Sequence, residues 1–499
     1  MATPVNDSFL TQRRRDADIA ALRQDVVDVV VVGGGITGVG VALDAVTRGL
    51  SVALVERHDL AAGTSRWSSK LAHGGLRYIA AGQLGVAWES AVERNFLVRN
   101  IAPHLVQPMR FVIPSLPVNG IADRMTARVG FGIADALRFA ARTPAQLPRT
   151  SWVDPTEARG LAPTLRPDLR GGFLHVDGAL EDDLRLVVAV ARTAAAAGAR
   201  IVTHCGASDV RADGVTVTDG RTGDRFDIKA RAVVVAAGVW SGGLVEQVPL
   251  QPSKGAHVLL RPEALDHPTA AFNILVPGTR NRFVFAVPRP DGLVQVGLTD
   301  DAVDEVVDEP LVTDADESFL LETLSSGLAR PVTSGDVVGK FAGLRPLLGA
   351  ASGASAADIS RRHALLDRHG VVVIVGGKLT TYRRMAEDAV DRVCKRLQHN
   401  HAAVTTTLPL VGATGAARPD LPARLRRRFG AEADAVATHG PLEPVAAGLP
   451  ALKCEVGWAV AAEGALDVAD LERRLRLDVV PAWREAARGY LEESLSASA

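Results

Sequence analysis

The chain has 499 residues, enough for two or three domains with sizeable cores. Its 56 Lys and Arg nearly cancel 57 Asp and Glu, so it lacks the overall basic footprint that general nucleic-acid binding needs. Cys205, Cys394 and Cys454 are too widely spaced for a disulfide or metal pattern and read as small buried hydrophobes in a reducing compartment.

Residues 1–25 carry Arg13-Arg14-Arg15 and several acids but no apolar stretch. They read as a polar leader, partly disordered or a short helix, and not as a signal peptide. No run of roughly 18 apolar residues follows, which argues against a spanning helix. The Ala-rich stretch 186–199 is interrupted by Arg192.

Residues 29–56 read as strand, glycine turn, helix and second strand. Val29-Val30-Val31-Val32 leads into Gly33, Gly35 and Gly38, spaced as G-x-G-x-x-G. The first glycine permits the tight turn, the second lets the backbone approach a pyrophosphate, and the third lets helix and strand pack closely. Exposed amides at the helix start favour the anion. Glu56 ends the second strand at about the roughly 20-residue spacing of an acid that binds a ribose hydroxyl. The unit predicts a dinucleotide site, without choosing NAD or FAD. The run 63–78 is too polar and glycine-rich for a core element. Its place directly after Glu56 favours cofactor contact over a plain surface loop.

Residues 84–101 predict a helix. In residues 121–142, Ile121, Met125, Val129, Ile133 and Leu137 share one helical face, with Arg124, Arg128, Arg138 and Arg142 opposite. Such a segment suits an anionic membrane surface, although Gly130 and Gly132 weaken a continuous helix and an ordinary surface helix is the commoner form. A helix over 182–198 precedes a β-rich stretch with turns at Asp213-Gly214 and Asp219-Gly220. That stretch ends in the apolar strand 232–237 and Gly238, where small residues allow a cofactor close approach. Residues 252–300 predict a mostly antiparallel sheet, a substrate platform, and 309–328 a helix. A second strand, Val371 to Val375, runs into Gly376-Gly377-Lys378-Leu379-Thr380-Thr381-Tyr382 and another helix. The rest, past a linker at 398–407, is helical and charged.

Together these motifs resemble the FAD-dependent, membrane-associated glycerol-3-phosphate dehydrogenases, from about residue 29 to 477. The carriers are the first glycine turn, the Ser69-Lys70-Leu71-Ala72-His73-Gly74-Gly75-Leu76-Arg77-Tyr78 loop, Ser253-Lys254-Gly255-Ala256-His257, Gly297-Leu298-Thr299-Asp300, Gly343-Leu344-Arg345-Pro346 and the Gly-Gly-Lys-Leu-Thr-Thr-Tyr turn. Residues 463–471 resemble the family's helical C-terminal domain. Ala237-Gly238-Val239-Trp240 departs from the Thr-Gly-Pro-Trp of many relatives, a change of backbone stiffness rather than chemistry.

The resemblance implies an α/β fold with three parts: a Rossmann-like FAD-binding domain, a mostly antiparallel substrate domain and a small helical C-terminal domain. The expected FAD-dependent region is 26–397. Its cofactor-binding pieces are 26–100, 171–247 and 338–397, with substrate-domain insertions at 101–170 and 248–337. The helical domain is expected at 408–494. The implied reaction is oxidation of sn-glycerol 3-phosphate to dihydroxyacetone phosphate, with electrons passed to a membrane quinone of the respiratory chain. An oxidase that uses oxygen and releases peroxide is the alternative. Peripheral attachment at the cytoplasmic face and a homodimer follow from the same resemblance.

A phosphate dianion calls for the planar fork of arginine, and Arg77, Arg345 and Arg361 match family positions. The register could instead favour Arg362. Tyr78 is a further phosphate donor. His257 is the candidate general base, because an imidazole titrates near neutrality. His73 is the runner-up. Lys378 offers a cation to the flavin or the substrate oxygens, and Asp300 either orients a cation or caps a turn. Gly33, Gly35, Gly38 and Glu56 are expected to hold the ADP half. Thr64, Ser65, Ser69 and Leu71 follow the pyrophosphate toward the flavin ring. Val210 would meet adenine through its backbone, and Ala237, Gly238, Lys378, Leu379 and Thr380 would line later parts. No metal site is expected.

Overall fold

The computed structural model describes residues 5–75, 78–79, 82–117, 121–143, 147–279, 282–349 and 362–497. Two sheets carry the fold. The first runs His363–Arg368, Val371–Gly376, Arg225–Val235, Val26–Val32, Val52–Val55, Arg200–Val202. All neighbours from Val371–Gly376 to Arg200–Val202 are parallel. A parallel sheet is covered on both faces, which explains the unbroken valine run. Val29 and Val31 join the core beneath the helices Ile36–Thr47, Asp183–Ala196 and Tyr382–Leu397. Val27, Val30 and Val32 pack the other way, against Ile19, Leu22 and the hairpin Cys205–Arg211/Gly214–Asp219.

The second sheet runs Asp301–Ala302, Leu250–Leu260, Val294–Gly297, Phe283–Pro288, Ala271–Leu275, Val106–Pro114, Gly172–Leu180, Leu71–Ala72. Its pairings are antiparallel except that of Ala271–Leu275 with Val106–Pro114. The strand Val337–Leu348 adds to Leu250–Leu260. Sheet membership therefore departs from the boundaries expected at 171 and 338. Gly172–Leu180 and Val337–Leu348 both belong to the second sheet, because they find their hydrogen-bond partners there.

Of the two forms expected for the amino-terminal segment, residues 12–22 take the helical one. Gln12–Leu22 is a helix whose Thr11 hydroxyl accepts from the Arg14 amide at 3.1 Å. Leu10, Ile19 and Leu22 are buried, and Arg15 donates to Asp219 at 2.7 Å. Residues 121–140 form one helix through Gly130 and Gly132. Phe131 and Ala134 face inward, whereas Met125, Val129, Ile133 and Phe139 are exposed.

The carboxy-terminal helices, among them Ala423–Phe429, Lys453–Glu463, Val468–Leu475 and Pro481–Ser496, are fastened by buried ion pairs. Arg192, the residue that interrupts the Ala-rich stretch, is fully buried and grips Glu432 through both nitrogens at 2.7 and 2.8 Å. Arg185 pairs with Glu463 at 2.6 Å, Arg428 with Asp182 at 2.7 Å and Arg474 with Asp59 at 2.6 Å. Removing one partner of such a pair strands a buried charge, a loss of about 3–5 kcal/mol.

His175 lies on Gly172–Leu180, its ring 5.0 Å from that of Phe111 and near parallel. Burial pushes its imidazole down to about 4. The unfolded chain binds that proton from about pH 6.5 downward while the fold does not, so stability falls as pH falls. Between pH 7 and pH 5 this one group should remove about 1–2 kcal/mol. His175→Gln is expected to show a smaller drop in thermal midpoint over that interval than the native chain, measured by calorimetry at both pH values.

Candidate active site

A cleft of about 700 Å³ opens where the carboxyl ends of the first sheet face the second. That is the size range of cofactor pockets and the place where open parallel sheets bind ligands. The two glycine turns, the loop after Glu56 and the adjoining strands Leu250–Leu260 and Val337–Leu348 all line it.

The first turn is a close-packed cradle. Gly33 has φ +115°, and a Cβ there would stand 2.7 Å from the Ala236 carbonyl oxygen. A Cβ on Gly38 would stand 1.8 Å from the Gly33 carbonyl oxygen. Gly38 is therefore a packing residue and does not itself line the cleft, whereas Gly33 and Gly35 do. The Glu56 carboxylate accepts from the Gly34 amide at 2.6 Å and the His58 amide at 2.8 Å. Ser65 Oγ accepts from the Ile36 amide at 2.9 Å, at the helix start where a pyrophosphate is expected. Thr64 donates to the Leu344 carbonyl at 2.6 Å and so ties this loop to the second sheet. Thr64, Ser65, Ser69, Leu71, Ala237, Gly238, Leu379 and Thr380 all line the cleft. Val210 does not: it pairs with Val215 in the hairpin, and Ala207, earlier on the same strand, lines the cleft instead.

His257 is 1% exposed yet borders the cleft. Its Nε2 lies 3.2 Å from Ser69 Oγ. Burial, and then the Arg345 and Lys70 charges, hold its imidazole well below the ordinary histidine range, so it is neutral at physiological pH. Arg345 pairs with Asp300 at 3.0 Å and donates to the Thr299 carbonyl at 3.3 Å. Asp300 thus contacts the Arg345 guanidinium and accepts from Ser253 Oγ at 2.8 Å. Lys378 donates to Ser90 Oγ, and its ammonium stands 4.1 Å from the Tyr78 ring centroid. His73 also lines the cleft, and its Nδ1 accepts from the Gly75 amide at 3.2 Å. Arg77 and Arg361 lie outside the described residues. Arg362 is exposed beside Gly85, away from the cleft lining.

The FAD dependent oxidoreductase family model matches residues 28–383. A protein named glycerol-3-phosphate dehydrogenase 1 from Mycobacterium tuberculosis is 49% identical over 98% of this chain and 99% of its own. The chain belongs to the FAD-dependent glycerol-3-phosphate dehydrogenase family. The crystal structure of the glycerol-3-phosphate dehydrogenase from Bacillus halodurans complexed with FAD superposes with a TM-score of 0.75 at 27% identity, covering 97% of this chain and 94% of that one. L-alpha-glycerophosphate oxidase from Mycoplasma pneumoniae with FAD bound shares the fold, with a TM-score of 0.59 at 19% identity over 78% of this chain and 99% of that one. FAD is the cofactor, and the glycine cradle, the paired Glu56 and the long cleft suit its extended shape.

Several groups in and behind the cleft escaped the sequence reading. Trp67 and Arg473 line it, the latter from the carboxy-terminal helices. Lys70, read only as part of a motif, is buried with its ammonium 2.9 Å from Asp183. Asp183 stands in a stretch read only as helical, and nothing local marks it as the partner of Lys70.

Gly38→Ala is expected to weaken FAD binding at least about tenfold, because turn and helix must separate before a methyl fits. Flavin absorbance per chain after purification, and FAD titration of the apoprotein, check this.

Proposed function

We propose that the chain oxidises sn-glycerol 3-phosphate to dihydroxyacetone phosphate and passes the electrons to a membrane quinone. The observation that carries this reading is a neutral, buried His257 beside an oriented Arg345 at one cofactor cleft. Bound FAD supplies the hydride acceptor for the carbon that bears the central hydroxyl. His257 Nε2 takes the proton of that hydroxyl. A neutral imidazole is the form able to do so, and the Ser69 hydroxyl at 3.2 Å marks the spot where an oxygen sits against it.

Arg345 anchors the phosphate, together with Arg77, Tyr78 and Arg361 in this reading. Asp300 and the Thr299 carbonyl hold its guanidinium in place before substrate arrives, which cuts the ordering cost of binding. Lys378, fixed between Ser90 and Tyr78, adds a positive charge next to the reacting oxygens. Deep burial of His257 keeps water from the proton transfer.

Attachment to the cytoplasmic face of the membrane, as a homodimer, belongs to the same proposal. No helix among the described residues is long and apolar enough to cross a membrane. The helix Ile121–Ala140 supports contact from one side: Met125, Val129 and Phe139 are exposed, the last at 81%, with Arg128 and Arg142 exposed nearby. The rival acceptor is oxygen, with release of hydrogen peroxide. It shares the reductive half of the reaction, and a glycerophosphate oxidase shares the fold.

Glycerol 3-phosphate is expected to bleach the bound flavin without oxygen, and a quinone analogue to restore the colour faster than air does. Stoichiometric peroxide in air with no quinone preference would move the assignment to the oxidase. Arg345→Ala should raise KM for glycerol 3-phosphate about a hundredfold with flavin content unchanged, since it removes a charge-assisted phosphate contact. Steady-state kinetics with an unaltered KM would take Arg345 out of the phosphate site.

A further inference from the structure

His257 makes few polar contacts for a residue that must present one nitrogen accurately. Nε2 meets Ser69, while Nδ1 is buried with no hydrogen-bond partner among the described residues. Ring orientation therefore depends on packing. On one side the imidazole meets the Gly297 backbone, where a Cβ would stand 2.3 Å from His257 Cδ2. On the other it stacks on Phe341, its cross-strand neighbour, with centroids 4.7 Å apart and planes within 19°.

That stack continues. Phe341 lies on Trp67, at 5.2 Å and 21°. The Arg66 guanidinium caps Trp67 at 3.6 Å from the ring. Arg66 is held by the Ala62 carbonyl at 2.8 Å and by an ion pair with Asp478, which follows the helix Val468–Leu475. The next residues, Val479 and Val480, are buried against Phe341, Leu259 and Leu293. A Cβ on Gly339 would stand 2.2 Å from the Val479 carbonyl oxygen, so this segment presses directly on the strand that carries Phe341.

We propose that Asp478, Arg66 and Trp67 are positioning residues: through Asp478 the helical carboxy-terminal region locks the Arg66–Trp67–Phe341 stack that holds the His257 imidazole in its proton-accepting orientation. The proposal rests on His257 as the base. It gives the carboxy-terminal helices a part in the chemistry although Asp478 does not line the cleft. Stacked rings and an arginine over an indole face are attractive in their own right, and a chain of them resists tilting of any member. A misplaced base is costly because proton transfer is steep in distance, and about 1 Å can cost on the order of a hundredfold.

The test follows anaerobic flavin reduction by glycerol 3-phosphate in the holoenzyme, separating the limiting rate from the substrate Kd. Trp67→Leu should slow the limiting rate about tenfold or more, with Kd changed by less than about twofold. Trp67→Phe, which keeps a ring in the stack, should recover to within about threefold of the native rate. Asp478→Asn, made outside the cleft, should slow the same step without loss of flavin. In a His257→Gln background both Trp67→Leu and Asp478→Asn should cost less than about twofold, because they act through the imidazole. Equal slowing with and without His257, or an effect on Kd alone, would overturn the positioning role while leaving the base in place. A His257→Gln enzyme that reduces at the native rate would instead remove the base, and the positioning role with it.

Discussion

The fold depends on how closely the helix Ile36–Thr47 can approach the turn that starts it. The space left at Gly38 is smaller than any side chain, since a Cβ would stand 1.8 Å from the Gly33 carbonyl oxygen. That contact sets the helix axis against the central strand and aims the helix amides at the cleft. Glu56, Ser65 and Ala237 take their places around the same turn because the parallel strands on either side end at the same level. The shape of this end of the cleft is thus set by backbone packing and only then by side-chain chemistry.

A second set of constraints is electrostatic. Asp182 and Asp183, at the start of the helix Asp183–Ala196, divide their loyalties. Asp182 takes Arg428 from the carboxy-terminal helices, and Asp183 takes Lys70 and Ser68 from the loop beside the flavin site. Arg474 reaches Asp59 just past the second strand. The carboxy-terminal region is therefore wired by buried charge to the loop that forms one wall of the cleft. Such pairs add little net stability over apolar packing but penalise any other arrangement of the two parts. The stack from Arg66 to His257 lies alongside this network and ends at the imidazole that borders the cleft.

Particular residues show how far the sequence could be read. The glycine spacing, the valine run and Glu56 identified the cofactor turn because each answers to a local geometric need. The antiparallel second sheet was legible from the short strand-like apolar runs in 252–300. The motif matches singled out His257, Arg345, Lys378 and Tyr78, and the structure gathers all four at one cleft. Other features were opaque. Residues 1–25 read as a polar leader, partly disordered or a short helix, and the pattern does not show that Leu10, Ile19, Leu22 and Arg15 are buried in the fold. Arg192 looked like an interruption of an apolar helix, yet it is a buried clamp on Glu432. Along the strand Cys205–Arg211, Ala207 and not Val210 lines the cleft, and which residue of a strand borders a cleft is not written in composition.

The chain alone determined the glycine turn and the helix and strand types, and it supplied the arginine and histidine candidates. These follow from short-range rules: φ angles open only to glycine, periodicity of apolar positions, and the chemistry of arginine and histidine. Only the tertiary structure decided which charges find each other, which sheet claims Gly172–Leu180 and Val337–Leu348, and that Trp67 and Asp478 stand behind His257. Those outcomes join residues far apart in the chain. They are set by the shared volume between packed elements, which no local pattern specifies.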